Sequence, residues 1–400
     1  MGSKSKSLLE FVENHPRSKE HAIGDFSWVN EETPLEKLDL DWKERGLPER
    51  LRTKHVHRLH PYLGKFVPQL VEIFLRKYRP SVVCDPFCGS GTTLVEANAL
   101  GINVVGCDIS AFNCLLSKVK TDDYDYHKLN RELKDITAKT YWKSKESSLA
   151  EKLLEKEDST YLKDWFHKKA LGELLIYRSM IPEYEYQDSM KIILSRSARS
   201  ARLTTHYNLD FPKKPQTTSY HCYKHNRICK PTDDALIFLK RYGEDTFKRI
   251  KEFAEIKTSK SIKIICGDSR SIRFPKCDAI MTSPPYVGLI DYHEQHRYAY
   301  ELLKLPDRRG FEIGAASSGN SKRAQQNYID GIGQVFANVR KSMTENGVAV
   351  IVVHDKNKLY DGLAEKCGFF TENMLTRKVD RRTGRRASEF FEQILIWRAK

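Results

Sequence analysis

The stretch from Val82 to Leu100 constrains this chain more than any other. A β-branched run, Val82-Val83, leads into Asp85; a turn carrying Gly89 and Gly91 follows, and Leu94 to Leu100 then supplies good helix formers at helical spacing. The pattern predicts a strand, a glycine-rich loop and a helix. Gly89 and Gly91 permit positive φ and remove the Cβ atoms that would hold a ligand off the backbone, while the helix start leaves N–H groups unpaired. A nucleotide-like ligand suits such a loop. A P-loop needs Lys and then Ser or Thr after its last glycine, but Thr92-Thr93 follows Gly91, which argues against Walker-type NTP binding. A dinucleotide fingerprint fits poorly too, because Leu94 stands where a third small residue is required.

The loop has companions. Ile102 to Asp108 is a second strand ending in an acid, 23 residues after Asp85, about where a ribose-hydroxyl acceptor sits in a nucleotide-binding βαβ unit. Ile262 to Cys266 with Gly267-Asp268 is a third, and Asp278 to Thr282 is a fourth strand running into Ser283-Pro284-Pro285-Tyr286. Gly347 to His354 reads as a fifth strand, and Phe369 to Val379 with Glu389 to Trp397 as a closing hairpin around the segment 380–386. Helical patterns over 66–78, 111–119, 294–303 and 322–343 intervene. This alternation predicts an α/β fold, a doubly wound, mostly parallel sheet.

Asp85-Pro86-Phe87, Gly89-Ser90-Gly91-Thr92-Thr93 and Thr282-Ser283-Pro284-Pro285-Tyr286 together resemble the DNA amino-methyltransferases, which move a methyl group from S-adenosylmethionine (SAM) to the exocyclic nitrogen of cytosine or adenine. His60-Pro61-Tyr62, Lys65-Phe66 and Pro68 resemble the segment that precedes the SAM loop in that family and closes over the methionine end. The resemblance covers residues 51–120 and 260–400, the SAM-binding catalytic domain it implies, with the family's seven-stranded sheet. It implies SAM as cofactor, held by His60, Tyr62, Lys65, Phe66, the Asp85 to Thr93 loop, Asp108-Ile109 and Asp268-Ser269. Asp85 then orients the methionine end, Asp108 accepts from the ribose hydroxyls and Asp268 from the adenine amine.

The chemistry asks for such a site. An exocyclic amine conjugated to a base ring is a poor nucleophile, so the enzyme must align it with the sulfonium methyl and accept hydrogen bonds from its N–H groups. Ser283 Oγ and the Pro284 carbonyl are the expected acceptors, Pro284 and Pro285 stiffen the turn, and Tyr286 is expected to stack on a base swung out of the duplex. Family members with Ser before Pro-Pro are mostly cytosine-N4 enzymes, so Ser283 favours cytosine, with adenine N6 as the alternative. An RNA substrate and a silent SAM- and DNA-binding subunit are further alternatives. Cytosine-C5 transfer needs a Pro-Cys thiolate, and the chain has no Pro-Cys dipeptide. A site-specific role on duplex DNA beside a restriction endonuclease is implied.

The segment 121–259 lies between the two motifs, an order that resembles members whose target-recognition unit is inserted there. Its dense alternating charge predicts solvated helices. Arg196, Arg199 and Arg202 share one helix face, where a phosphate-contacting stripe and an ordinary charged face both remain open. Residues 203–231 read as irregular, with aromatics among Lys213, Lys214, Lys224 and Arg227 as in nucleic-acid contacts. Cys222, His225 and Cys229 match no common zinc spacing, so a basic loop around buried thiols is the expectation, with a zinc site as the alternative, and no metal is assigned. His55, His57 and His60 are expected on a basic surface strip.

A formal net charge of +15, from 68 Lys and Arg against 53 Asp and Glu, points to a polyanionic partner. Nine scattered cysteines without a C-x-x-C pair read as reduced thiols, and without a membrane-length apolar run the chain reads as cytoplasmic and nucleoid-associated. Residues 1–50 are expected to be a loosely ordered arm.

Overall fold

The computed structural model describes residues 24–42, 46–206, 208, 209, 212–223, 225–379 and 390–400. The seven predicted strands form one sheet. They are β1 (Val82–Asp85), β2 (Asn103–Asp108), β5 (Ile262–Cys266), β6 (Cys277–Thr282), β7 (Met343–Val353), β8 (Phe369–Val379) and β9 (Phe390–Ala399), in the order β5-β2-β1-β6-β7-β9-β8. The first five of that order run parallel, and β9 pairs antiparallel with both β7 and β8. The hairpin segment 380–386 lies outside the described residues.

The strand order reverses at β1. Its neighbours are β2 on one side and β6 on the other, with Val83 opposite Ala279 and Cys84 opposite Ile280. Ligands bind at such a switch point, in the crevice beyond the carboxyl ends of the strands. The pairing is fixed at both ends of β1. The Asp278 carboxylate accepts from the Ser81 and Val82 N–H groups at 2.8 and 2.7 Å, and Thr282 Oγ1 donates to Asp85 Oδ1 at 2.6 Å.

Helix Pro68–Tyr78 ends at Arg79, which takes the left-handed conformation, and buries Leu70, Ile73 and Phe74 against one sheet face. Phe26, Val29, Leu38 and Leu40 of the N-terminal arm join the same core, so its described part is well packed. The opposite face carries helix Lys322–Arg340 with Phe336 against Trp397.

Helices Tyr126–Lys143, Lys168–Met180, Gln187–Ala201 and Leu236–Ala254 make up most of the inserted segment. Their core is continuous with Phe112, Leu116 and Val119 of helix Ala111–Thr121, which packs beside the sheet. Two expectations are corrected. The region 294–303 is two helices, Tyr292–Gln295 and Arg297–Leu303, broken at His296. Within 203–231 a two-stranded antiparallel hairpin forms from β3 (Tyr220–Cys222) and β4 (Arg227–Cys229).

The three histidines are not a surface strip. His55, His57 and His60 are 7%, 0% and 2% exposed, because the segment folds under the helical layer. His57 Nε2 meets Glu96 Oε1 at 2.7 Å and His60 Nε2 meets Ser195 Oγ at 3.1 Å. Trp397, 1% exposed and ringed by Phe336 and Phe369, should be costly to truncate. Trp397→Ala is expected to lower the unfolding free energy by about 3–5 kcal/mol in denaturant titration; a loss under about 1 kcal/mol would contradict this packing.

Candidate active site

The glycine-rich turn is shaped by its neighbours. Gly91 caps helix Thr92–Ala99 at φ 78°, and a Cβ there would come within 2.7 Å of Ser117 Oγ and 3.2 Å of Ser117 Cα. Gly89 has φ 49°, and its carbonyl accepts from Ser117 Oγ at 3.1 Å. Beneath the turn the fully buried Lys120 ammonium donates to the Ser90 carbonyl. Burial pushes that amine well below its ordinary pKa, so it holds the loop more by hydrogen bonding than as a stable charge.

Above the turn is a cavity open to solvent. Asp85, Pro86, Phe87, Gly89, Ser90 and Thr92 line it from the first loop, Asp108 and Ile109 from the end of β2, Asp268 and Ser269 from beyond β5, and Ser283 and Pro285 from the turn after β6. Tyr62, Lys65 and Phe66 close it from the preceding segment. His60, Gly91, Thr93, Pro284 and Tyr286 do not reach its wall; His60 is buried among Phe112, His296 and Tyr298, and Thr93 Oγ1 donates to the Met281 carbonyl at 3.2 Å, tying the helix to β6.

Several wall residues left no motif in the sequence. Ser110 and Asn113 follow Asp108 by two and five positions, and Tyr292, Phe311 and Glu312 arrive from the region after the Pro-Pro turn. Thr92 Oγ1, Asn113 Oδ1 and Glu312 Oε2 are buried polar atoms with no hydrogen-bond partner among the described residues, all three on residues of this cavity. Buried acceptors left open are costly unless a ligand supplies donors. An amino acid, a ribose and an adenine amine offer such donors, so the wall fits a cofactor like SAM.

Asp108 accepts from the Gly89 N–H at 2.9 Å, the Ser110 N–H at 2.8 Å and Asn113 Nδ2 at 3.1 Å. It thus locks the glycine turn to β2 while lining the cavity. Asp268 carries an extra constraint: both its oxygens bind Arg270, at 2.7 to 3.0 Å. Partial burial opposes its ionised form, but Arg270 outweighs that and holds the carboxyl below its usual range.

Beyond the Pro-Pro turn lies a second cavity, walled by Tyr286, Tyr328, His354, Asp355 and Tyr360 among others. Tyr286 donates its hydroxyl to Glu392 Oε1 at 2.8 Å, and its ring lies 6.0 Å from that of His354. Burial, then the Glu392 carboxylate, pushes the Tyr286 phenol well above its ordinary range, so it stays a neutral donor. Ser283 Oγ donates to the Val352 carbonyl at 3.1 Å. The Ser-Pro-Pro-Tyr turn therefore contributes Ser283 and Pro285 to one cavity and Tyr286 to the other.

The arginine stripe faces inward, which corrects its reading as a nucleic-acid contact for two of the three residues. Arg196 pairs with Asp245 at 2.6 Å and lies over the Tyr242 ring, and Arg202 is 4% exposed, bonded to the Leu209 carbonyl and stacked over Tyr298. Apolar neighbours on that helix face bury these stems. Arg199, on the same helix, is only partly buried. Lys213, Lys214 and Arg227 are exposed, and Lys224 lies outside the described residues.

Burial pushes Asp85 and Asp108 each up to about 6. An unfolded carboxyl titrates near pH ~3.9, so between about pH 4 and 6 the folded chain keeps protons that the unfolded chain has released. Each acid then adds stability that is complete below about pH 4 and is lost as the pH rises through about 6, at most about 3 kcal/mol apiece. The unfolding free energy of Asp108→Asn minus that of the wild type is expected to rise by up to about 3 kcal/mol across this window; a difference independent of pH would contradict the assignment.

The DNA methylase family profile matches residues 65–119, the stretch from Lys65 through the glycine turn and β2. The Type II methyltransferase M.MjaII of Methanocaldococcus jannaschii is 37% identical across 90% of this chain and 83% of its own length. Similarity extends at 24% identity to the Type II methyltransferase M.BsoBI of Geobacillus stearothermophilus, over 80% of this chain and 70% of that protein. M.MvaI of Kocuria varians is also 24% identical, over 58% of this chain and 53% of its own. With both diagnostic turns meeting at the switch point of the sheet, and with a relative of this identity spanning nearly the whole chain, the protein belongs to the SAM-dependent DNA amino-methyltransferase family, among the Type II DNA methyltransferases.

Proposed function

We propose that this enzyme methylates the exocyclic N4 of a cytosine swung out of duplex DNA, at a specific sequence, as the protective partner of a restriction endonuclease. The observation that carries the reading is the Ser283 hydroxyl. It sits on the wall of the cofactor cavity with its hydrogen directed to the Val352 carbonyl, which leaves the oxygen lone pairs to accept from an amine.

When bound, SAM supplies an electrophilic methyl on a sulfonium. The chain's residues supply position and polarity. Ser283 Oγ and the Pro284 carbonyl accept from the two amine hydrogens, which draws the nitrogen lone pair out of conjugation. Tyr286, anchored through its hydroxyl to Glu392, offers a ring face for stacking on the base in the second cavity. Ser283 is neutral, so it orients the amine without taking its proton: as the N–CH3 bond forms and the S–CH3 bond breaks to leave the neutral thioether S-adenosylhomocysteine, the extra proton on the methylated nitrogen passes to water. Asp85 and Asp108, low in the first cavity, favour the cationic cofactor once ionised. Asp268 takes the adenine amine beside Arg270, and Tyr62, Lys65 and Phe66 close over the methionine end. Duplex DNA is held in part by exposed cations of the inserted segment such as Lys213, Lys214 and Arg227. A cytoplasmic, nucleoid-associated location follows from this role.

Mass spectrometry of nucleosides from DNA methylated by the enzyme is expected to give N4-methylcytosine. N6-methyladenine as the product would replace cytosine by adenine in this reading, and methylation of structured RNA in preference to duplex DNA would overturn it. Ser283→Ala is expected to lower kcat about 10²-fold while SAM affinity stays within a few-fold. Unchanged kcat under single-turnover conditions would remove Ser283 from the reaction.

A further inference from the structure

The hairpin β3–β4 lacks a core of its own. It has three residue pairs, Tyr220 with Cys229, His221 with Ile228 and Cys222 with Arg227. Among the described residues, its large hydrophobic side chains at the tip and on the second strand, Tyr223 and Ile228, are 79% and 67% exposed. A two-stranded hairpin of this size is marginal in water and needs another source of stability. The two residues it does bury are Cys222 and Cys229, 0% and 8% exposed.

Both thiols meet imidazoles. Cys222 Sγ lies 3.4 Å from His206 Nδ1 and 3.7 Å from His225 Nδ1, and Cys229 Sγ lies 3.7 Å from His225 Nδ1. His206 comes from the segment after helix Gln187–Ala201, 16 residues before Cys222, and its N–H donates to the Tyr220 hydroxyl at 3.1 Å. His225 sits in the hairpin turn beside Asn226, whose φ of 49° is a conformation that Asn adopts more readily than most residues. All four ligand atoms lie within 4.8 Å of one another.

We propose that His206, Cys222, His225 and Cys229 form a tetrahedral Cys2His2 site for a structural zinc ion. Bonds of about 2.3 Å to sulfur and about 2.0 Å to nitrogen at a tetrahedral angle place sulfur and nitrogen about 3.5 Å apart, which is the range of the three contacts above. Thiol-to-imidazole hydrogen bonds would need only pairs; here two sulfurs and two nitrogens surround one small volume. Thiolate and imidazole donors select zinc over magnesium or calcium, and four protein ligands close the coordination sphere, so the site is structural and not catalytic. None of the four residues lines either cavity at the catalytic turns. The sequence hid the site because the fourth ligand is distant and the other three run Cys-x2-His-x3-Cys, outside the familiar spacings. The ion would tie the hairpin, with its exposed Tyr223 and Arg227, to the end of the helix that carries the inserted core.

The test uses the full chain, purified without chelator or histidine tag from zinc-supplemented cells. Elemental analysis is expected to give about one zinc per chain, and cobalt substitution the intense visible bands of a tetrahedral thiolate site. The double variant Cys222→Ser/Cys229→Ser and the single variant His206→Ala are expected to lose that ion or bind it more weakly, while His221→Ala, on the same hairpin but outside the cluster, keeps it. Retained SAM binding by the variants shows that the catalytic domain has folded. Chelation of the wild type should make the hairpin susceptible to protease while leaving SAM binding unchanged. A metal-free wild type that gives only the weak spectrum of octahedral cobalt, or a Cys222–Cys229 disulfide in the native protein, would overturn the proposal.

Discussion

The active site depends on the pairing of β1 with β6. Those strands are nearly two hundred residues apart in the chain, yet Val83 and Cys84 lie directly beside Ala279 and Ile280. The pairing puts the glycine turn and the Ser-Pro-Pro-Tyr turn at one end of the sheet. Asp85 completes it: one oxygen accepts from Thr282 Oγ1 of β6 and from the Phe87 N–H of its own loop. One carboxylate thus sets the spacing of both turns. Its burial is why it is held near 6, and a cationic ligand beside it would favour the ionised form.

A second constraint is the support beneath the loop. Ser117, Lys120 and Asp108 all bond to the backbone of residues 89 and 90, so the turn is held from two directions before any ligand arrives. Preorganisation of this kind lowers the entropy lost on binding. Nearby, buried Glu96 of the helix Thr92–Ala99 meets buried His57 at 2.7 Å and accepts from the half-buried Lys54 at 3.0 Å. Burial keeps His57 well below its ordinary pKa, which makes its bond to Glu96 that of a neutral ring. The histidines that look like a basic strip in the sequence are part of the scaffold.

The helices of the segment 121–259 share one core with helix Ala111–Thr121 beside the sheet. Leu129, Ile136, Leu174 and Ile193 pack in the same cluster as Phe112 and Leu116, so the insertion is rooted on the helix that supports the glycine turn. Arg196 and Arg202 are spent on this rooting. Their pairing with Asp245 and their stacking on Tyr242 and Tyr298 hold both guanidinium groups within the fold.

The sequence by itself determined the sheet and the two turns, because those features are local. A β-branched run, an acid, two glycines and a Pro-Pro pair act through backbone preferences that need no distant partner. The strands β1, β2, β5, β6, β7, β8 and β9 and the side chains of Asp85, Asp108 and Ser283 were legible on that account. What only the tertiary structure decided depends on contacts between residues far apart: the inward turn of Arg196 and Arg202, the burial of His55, His57 and His60, the open acceptors of Asn113 and Glu312, and the meeting of His206 with Cys222, His225 and Cys229. Charge and ligand chemistry are carried by each residue, but whether a residue meets solvent, a partner or an ion is set by packing across the whole chain.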